Sequence, residues 1–283
     1  MSTSSPPTHK ANASVIIPAH NEASVIARTL EPLASAAEQA TLDIVVVCNG
    51  CTDGTAAAAR RFPGVRVFET AVASKTHALN LGDEVALATT RVYLDADVVA
   101  SVDALLALVS LLQTESVLAA RLSAEYDVSG ATWLVRAYFR ARSRIPSLHR
   151  CLWGAGNYGL SRTGRARLGR FPDITGDDLW VDRQFSAEEK RVLAGVTPVI
   201  VRVPRSLRAL MAITRRNVSG AQESVAGRPF ESTARRTLVE LLSTARTPMS
   251  FIDAVVYSMV AVAARRGGRR HQIRWERDDS SRR

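Results

Sequence analysis

Short, continuous runs of β-branched and apolar residues alternate with Ala/Leu-rich stretches from residue 14 to residue 125. The runs Ser14–Ala19, Leu42–Cys48, Val65–Thr70 and Arg91–Asp97 predict four strands, and SVLAARLSAEY from Ser116 predicts a fifth. Between them, helices are predicted over Glu22–Gln39, the alanine-rich Thr55–Arg61, Thr76–Ala88 and Val102–Gln113. Unbroken Val/Ile runs bounded by turn residues belong to strands covered on both faces. Their alternation with helices predicts a Rossmann-like α/β fold, with a mostly parallel sheet, right-handed crossovers and flanking helices. Ligands of such sheets bind beyond the carboxyl ends of the strands. The second half is less regular: a helix over Ala131–Arg142, a glycine-rich stretch over Trp153–Gly169, the acidic cluster TGDDLWVD, a strand over Val196–Pro204, then mainly helix.

Each of the first four strands is followed by polar groups. The first ends in PAHNE (Pro18–Glu22), the second in CNGCTDGT (Cys48–Thr55) and the fourth in LDADV (Leu94–Val98); ASKTHALNLG (Ala73–Gly82) follows the third. Asp95 and Asp97, at i and i+2 on the end of an apolar strand, offer two carboxylates to one ligand. Hard divalent cations take oxygen ligands, and Mg²⁺ is commonly held by one or two carboxylates plus substrate phosphates. A D-x-D by itself is a weak signal; its place at a strand end strengthens it.

Together these motifs resemble the family 2 glycosyltransferases of the GT-A fold, from about Ser14 to Gly220. The resemblance implies an enzyme that moves a sugar from a nucleotide-diphosphate sugar to an acceptor hydroxyl with inversion, using Mg²⁺ or Mn²⁺. It implies that Pro18, Ala19, Glu22 and the turn from Asn49 to Asp53 hold the nucleoside, that Lys75 lies near the nucleotide, and that Asp95 sits by the ribose or diphosphate with Asp97 on the metal. The family more often has aspartate where this chain has Asn49, whose amide both donates and accepts. In the pair Asp177 and Asp178, where the family has Glu-Asp, the resemblance gives Asp178 the role of general base. A positioned carboxylate suits that role, because an acceptor hydroxyl is a poor nucleophile until its proton is taken. Locally, the pair also reads as aspartates favourably placed at a helix N-terminus. TRRNVSG (Thr214–Gly220) resembles the family's diphosphate-side segment, so that Arg215 or Arg216 would offset phosphate charge; the other reading is an exposed basic helix. Trp153 and Tyr158 are candidates to flank the sugar, or are core.

Cys48 and Cys51 have C-x-x-C spacing without a second pair, which argues against a four-ligand zinc site. His20 and His77 read as loop or helix polar residues. Three cysteines are too few for a disulfide framework and suit a reducing compartment.

Charge divides the chain. Residues 1–130 carry a net −6 and residues 131–283 a net +16. A basic half suits phosphate groups or an anionic membrane, although a solvated arginine-rich surface fits the same count. No interleaved aromatic and basic motif points to nucleic acid. The stretch Phe251–Ala264 is broken by Asp253 and followed by RRGGRR, and falls short of a bilayer-spanning run. It suits an interfacial helix, or equally a core helix with a basic tail.

The expected organisation is a flexible leader (1–12), a catalytic domain (13–225) and a helical, basic C-terminal extension (226–283). The catalytic domain divides into a nucleotide-binding half (13–130) and an acceptor half (131–225). The expected location is cytoplasmic, with any peripheral contact at the inner face of the cell membrane; the acceptor is open among small molecule, lipid and glycan. Two alternatives remain at this point. One is a nucleotidyltransferase, disfavoured by the lack of a glycine-rich basic loop after the first strand. The other is an inactive membrane-surface binding module.

Overall fold

The computed structural model describes residues 11–223 and 234–268. Most of the expected leader, and the basic run from residue 269 onward, lie outside these limits. Strands β1 (Ser14–Ala19), β2 (Asp43–Asn49), β3 (Arg66–Thr70) and β4 (Arg91–Leu94) form one parallel block in the order β3-β2-β1-β4. Every residue of β1 and β2 is buried, as their unbroken apolar runs require. Alternate side chains serve opposite faces: Val15 and Ile17 join one core cluster, while Ile16 packs with Leu79 and Tyr93 in another. Burying each such Val or Ile contributes about 1.5–3 kcal/mol.

The crossovers are helical. The first is broken: α1 (Ile26–Leu30) passes through a 3₁₀ turn, Glu31–Leu33, into α2 (Ala34–Glu38). Pro32, at the start of that turn, has no N–H to continue the ladder, so the single helix expected over Glu22–Gln39 becomes two pieces. Helices α3 (Thr55–Ala59) and α4 (Lys75–Val85) follow β2 and β3. Helix α5 (Val102–Gln113) has the limits expected from its apolar spacing, and Ser101 caps it by accepting the Ala104 N–H.

The remaining strands depart from the sequence pattern. The expected fifth strand divides at Ser123 into β5 (Ala119–Leu122) and β6 (Ala124–Asp127). The fully buried β5 joins the large sheet, and the partly exposed β6 pairs with β9 (Val199–Arg202) in a separate two-stranded sheet. Within the glycine-rich stretch lies β7 (Asn157–Leu160), antiparallel between β4 and β5. The charged β8 (Lys190–Leu193) closes the edge of the large sheet, so that six of its seven strands run parallel.

Helices α6 (Trp133–Arg142), α9 (Leu207–Glu223) and α11 (Pro248–Gly268) pack together, with Val135 and Ala137 meeting Leu210, Val256 and Val260. Helix α10 (Ala234–Thr244) joins them through Leu241 against Ala141 and Ile145. Two short helices, α7 (Arg162–Leu168) and α8 (Asp177–Asp182), complete the order. Helix α11 is long and apolar enough over Pro248–Arg266 to cross a membrane by length and composition. However, Asp253 is 1% exposed and receives Arg140 Nη2 (2.7 Å) and Arg144 Nη2 (3.0 Å), which fixes this helix to α6.

Candidate active site

The carboxyl ends of β1 and β4, the N-terminus of α4, the entry to β7 and the N-terminus of α8 meet at one cleft. Pro18, Lys75, Asp95, Asn157, Asp177 and Asp178 are among the residues that line it. Lys75 opens α4, directly after the cap residue Ser74, whose hydroxyl accepts the His77 N–H. Its ammonium lies 2.7 Å from Asp95 Oδ1 and 2.9 Å from Asp177 Oδ1. Burial opposes its charge, but Asp177, Asp95 and Asp178 outweigh burial and raise the Lys75 pKa above the ordinary lysine value.

Asp95 stands on the turn that ends β4. Its N–H donates to the Gly156 carbonyl (2.8 Å) and its own carbonyl accepts the Val98 N–H (3.1 Å). Gly156 has φ +62°, and a Cβ there would sit 2.5 Å from Val98 Cγ2 and 3.2 Å from Asp95 Oδ2. Glycine is therefore required for the glycine-rich segment to close on the Asp95 carboxylate.

Helix α8 holds that segment through three carboxylates. Asp178 Oδ2 accepts the Gly154 N–H (2.7 Å), Asp182 Oδ1 accepts the Leu152 N–H (2.7 Å) and Asp177 Oδ2 accepts the Tyr158 hydroxyl (2.9 Å). Asp177 is buried with both oxygens engaged, whereas Asp178 is only partly buried. Burial first, and then the Asp177 charge, push the Asp178 carboxyl up to about 6; Lys75 and the Gly154 N–H oppose them. The folded chain then holds this proton more tightly than the unfolded chain, whose carboxyl titrates near 3.8. Stability is accordingly expected to fall as pH rises from about 4 to about 6, with the loss complete above that window. Melting temperatures of the wild type and Asp178→Asn across this range test the sign: the wild type should lose stability relative to the variant as pH rises.

The other residues expected from the sequence form a neighbouring pair of loops. Asp53 accepts the Ala23 N–H (3.2 Å) and the Thr55 N–H (3.0 Å), and Glu22 donates its N–H to Thr55 Oγ (2.7 Å). Asn21, at φ +53°, accepts the N–H groups of Thr52 and Asp53. Ala19 accepts the Cys51 thiol (3.3 Å), and His20 Nδ1 meets the carbonyl of the buried Asn49. Cys48 and Cys51 are free thiols; burial pushes Cys48 up to about 12, with neighbouring Cys51 adding to the shift. The loops after β1 and β2 are therefore stitched to each other.

Asp97 follows two residues later; its backbone carbonyl accepts Arg28 Nη2 (3.3 Å), and it is not among the residues that line the cleft. Among the described residues, no three His, Cys, Asp or Glu side chains cluster as a complete metal site. Arg215 is exposed on α9, and Arg216 is half-buried one turn before Gly220. A Cβ on Gly220 would lie 2.2 Å from the Thr175 carbonyl, so this face of α9 is pressed against the segment leading into Asp177. Neither Arg215 nor Arg216 is among the residues that line the cleft.

Tyr158 is core: it stacks on Tyr93 with centroids 4.8 Å apart. Trp153 lies under the Arg142 guanidinium (5.5 Å), which also donates from Nε to the Tyr126 hydroxyl (3.1 Å) and from Nη2 to the Gly154 carbonyl (3.4 Å). Sequence reasoning does not find Arg142, Tyr126 or Asp182, because they act through contacts distant in sequence and belong to no motif.

A family model described as Glycosyl transferase family 2 matches residues 14–168, more than half of the chain. The chain belongs to glycosyltransferase family 2. The matched segment includes Pro18, Ala19, Glu22, Asn49, Asp53, Lys75, Asp95 and Asp97, and ends ahead of Asp177. No curated protein matches the sequence.

Among solved structures, the mannosyltransferase PcManGT of Pyrobaculum calidifontis, in complex with GDP-Man and Mn²⁺, is similar at TM-score 0.65 and 19% identity, over 94% of this chain and 89% of that one. Glucosyl-3-phosphoglycerate synthase of Mycobacterium tuberculosis, in complex with Mn²⁺ and UDP-glucose, is similar at TM-score 0.54 and 20% identity, over 79% and 81%. Residues 1–349 of S. aureus TarS are similar at TM-score 0.51 and 14% identity, over 90% and 91%. At these identities the likeness establishes a shared GT-A fold. Membership of a glycosyltransferase family sets aside the nucleotidyltransferase reading.

Proposed function

We propose that this glycosyltransferase transfers a sugar from a nucleotide-diphosphate sugar to an acceptor hydroxyl by one in-line displacement, inverting the anomeric configuration. The observation that carries the reading is the convergence of Asp95, Lys75, Asp177 and Asp178 in one cleft at the carboxyl ends of the sheet.

In this reading the paired loops, with Ala19, Glu22, Asn49 and Asp53, receive the nucleoside. Asp178 takes the acceptor proton. Each of its oxygens already accepts one backbone N–H, from Leu179 and Gly154, which orients the carboxylate and leaves lone pairs for the hydroxyl. A carboxyl raised to about 6 is ionised at neutral pH, yet is more basic than an ordinary aspartate. Asp177 is a positioning residue that holds Lys75, and Lys75 faces the departing diphosphate.

Asp95 and Asp97 supply the oxygen chemistry that a hard divalent cation requires, and the donor's phosphates would complete its shell. When bound, such a cation offsets the charge of the leaving diphosphate. The solved structures similar to this chain include two in complex with Mn²⁺ and a nucleotide sugar. Because the protein lacks a self-sufficient site among its described residues, Mn²⁺ binding is expected to depend on nucleotide. Calorimetric titration should give weak binding to the protein alone and at least about tenfold tighter binding with a nucleoside diphosphate present, the gain being lost in Asp97→Asn.

The reading as a whole is tested by screening nucleotide sugars for cation-dependent hydrolysis or transfer. Release of the nucleoside diphosphate with a product of inverted anomeric configuration supports it. Retained configuration, or no turnover of any donor with any divalent cation, overturns it.

A further inference from the structure

Among the described residues, exposed large hydrophobic side chains concentrate on the outer surface of α10 and α11. Of the twelve large hydrophobic side chains exposed among the described residues, nine lie on these two helices. On α11, Phe251, Val255, Met259 and Val262 recur every three or four residues and form one stripe, with Phe251 and Met259 each 56% exposed. On α10, Leu238, Val239 and Leu242 are exposed in the same way. The inner faces meet a common support, since Leu241 of α10 and Ala254 of α11 both join Ala141 and Ile145. The two helices are therefore anchored side by side on one support.

Charge surrounds this plate with one sign. Arg246, Arg265 and Arg266 are exposed on or between the two helices, and Arg266 continues the α11 stripe. The acids of the described segment are turned elsewhere. Asp253 is buried against Arg140 and Arg144, and the Glu240 carboxylate accepts the Ser147 hydroxyl (2.5 Å) and Arg236 Nε (3.1 Å). An apolar face rimmed by arginine matches the boundary between headgroups and acyl chains of an anionic leaflet.

We propose that the outer face of α10 and α11 docks on an anionic lipid bilayer, lying in its surface without crossing it. Crossing would require Asp253 to leave both arginines and enter hydrocarbon. A second copy of the chain is a poorer occupant, because a symmetric pairing would bring the arginine rims together. Outside the described residues the sequence offers only Met1, Val225, Phe230, Ile273 and Trp275 as large apolar side chains, spread over three separate segments and too few to cover nine. The docking needs no sugar nucleotide and stands apart from the reaction proposed above.

The experiment is flotation of the full chain with vesicles of phosphatidylcholine, with and without about one-third phosphatidylglycerol. Binding is expected to the anionic vesicles, at least about tenfold weaker to neutral ones, and reduced by salt. A combined F251S, V255S and M259S variant should lose binding. An R265E, R266E variant, which leaves the apolar face intact, should bind the anionic vesicles at least about tenfold more weakly with an unchanged melting temperature. Equal binding to both vesicle types, absence of binding, or vesicle binding unaffected by either variant overturns the proposal. So does sedimentation showing that the serine variant converts a dimer to a monomer without a change in vesicle binding.

Discussion

Asp178→Asn is expected to slow sugar transfer by about 10²–10⁴-fold while leaving nucleotide-sugar binding in place. The variant keeps the side chain's size but removes the basic oxygen. It also leaves one acceptor where two backbone N–H groups, of Gly154 and Leu179, now donate. One of them loses its partner, at a cost of about 1–3 kcal/mol. The decisive measurement is therefore transfer rate at saturating donor, read beside donor affinity and melting temperature. A variant that folds, binds donor and transfers at near wild-type rate would remove Asp178 as the base. In the wild type, activity should rise with pH through an apparent pKa near 6. That limb belongs to the coupled group of Asp178, Asp177 and Lys75 rather than to one side chain.

Lys75→Met is expected to have the largest effect on the folded site itself. The ammonium is the cation shared by Asp95 and Asp177, and it also lowers the pKa of Asp178. Its removal leaves three carboxylates facing one another around a partly closed cleft. The expected loss is about 3 kcal/mol, the low end for removing one partner of a buried ion pair, because the cleft admits some water. Two further consequences distinguish this from simple destabilisation. The acidic limb of the activity profile should move to higher pH, since Asp178 loses the cation that favours its ionised form. Donor binding should also weaken, because the phosphates lose a positive neighbour. Chemical denaturation measures the first effect, and pH–rate profiles with donor titrations measure the others. An unchanged pH profile in a folded Lys75→Met protein would separate Lys75 from the base.

Much of residues 13–130 was legible because its signals are local. The limits of β1 follow from the run SVIIPA, and those of α5 from its cap at Ser101 and its apolar spacing. Pro18, Lys75 and Asp95 reach one cleft because consecutive parallel strands put their carboxyl ends on one edge. The break at Pro32 was also written in the chain, and the alanine-rich pattern around it concealed it. Residues 131–225 were less legible. NYGL lies within a glycine-rich stretch that gives no strand signal, yet it is a buried strand between β4 and β5. A strand with few side-chain signals forms there because two waiting edges supply its hydrogen-bond partners, a condition set by distant segments.

The sequence by itself determined the parallel block, the placement of polar loops at its carboxyl edge and the family. Continuous apolar runs of strand length have few ways to bury both faces, and the motifs lie at fixed positions relative to them. Tertiary structure decided the rest. It divided SVLAARLSAEY between two sheets at Ser123, and it assigned the two aspartates of α8 different surroundings, one bound to Lys75 and Tyr158 and one left partly open. It also turned Asp253 inward, so that α11 holds to the protein on one face and presents an apolar stripe on the other. Each of these outcomes depends on which partner a side chain meets across the fold, and adjacent sequence carries no record of that partner.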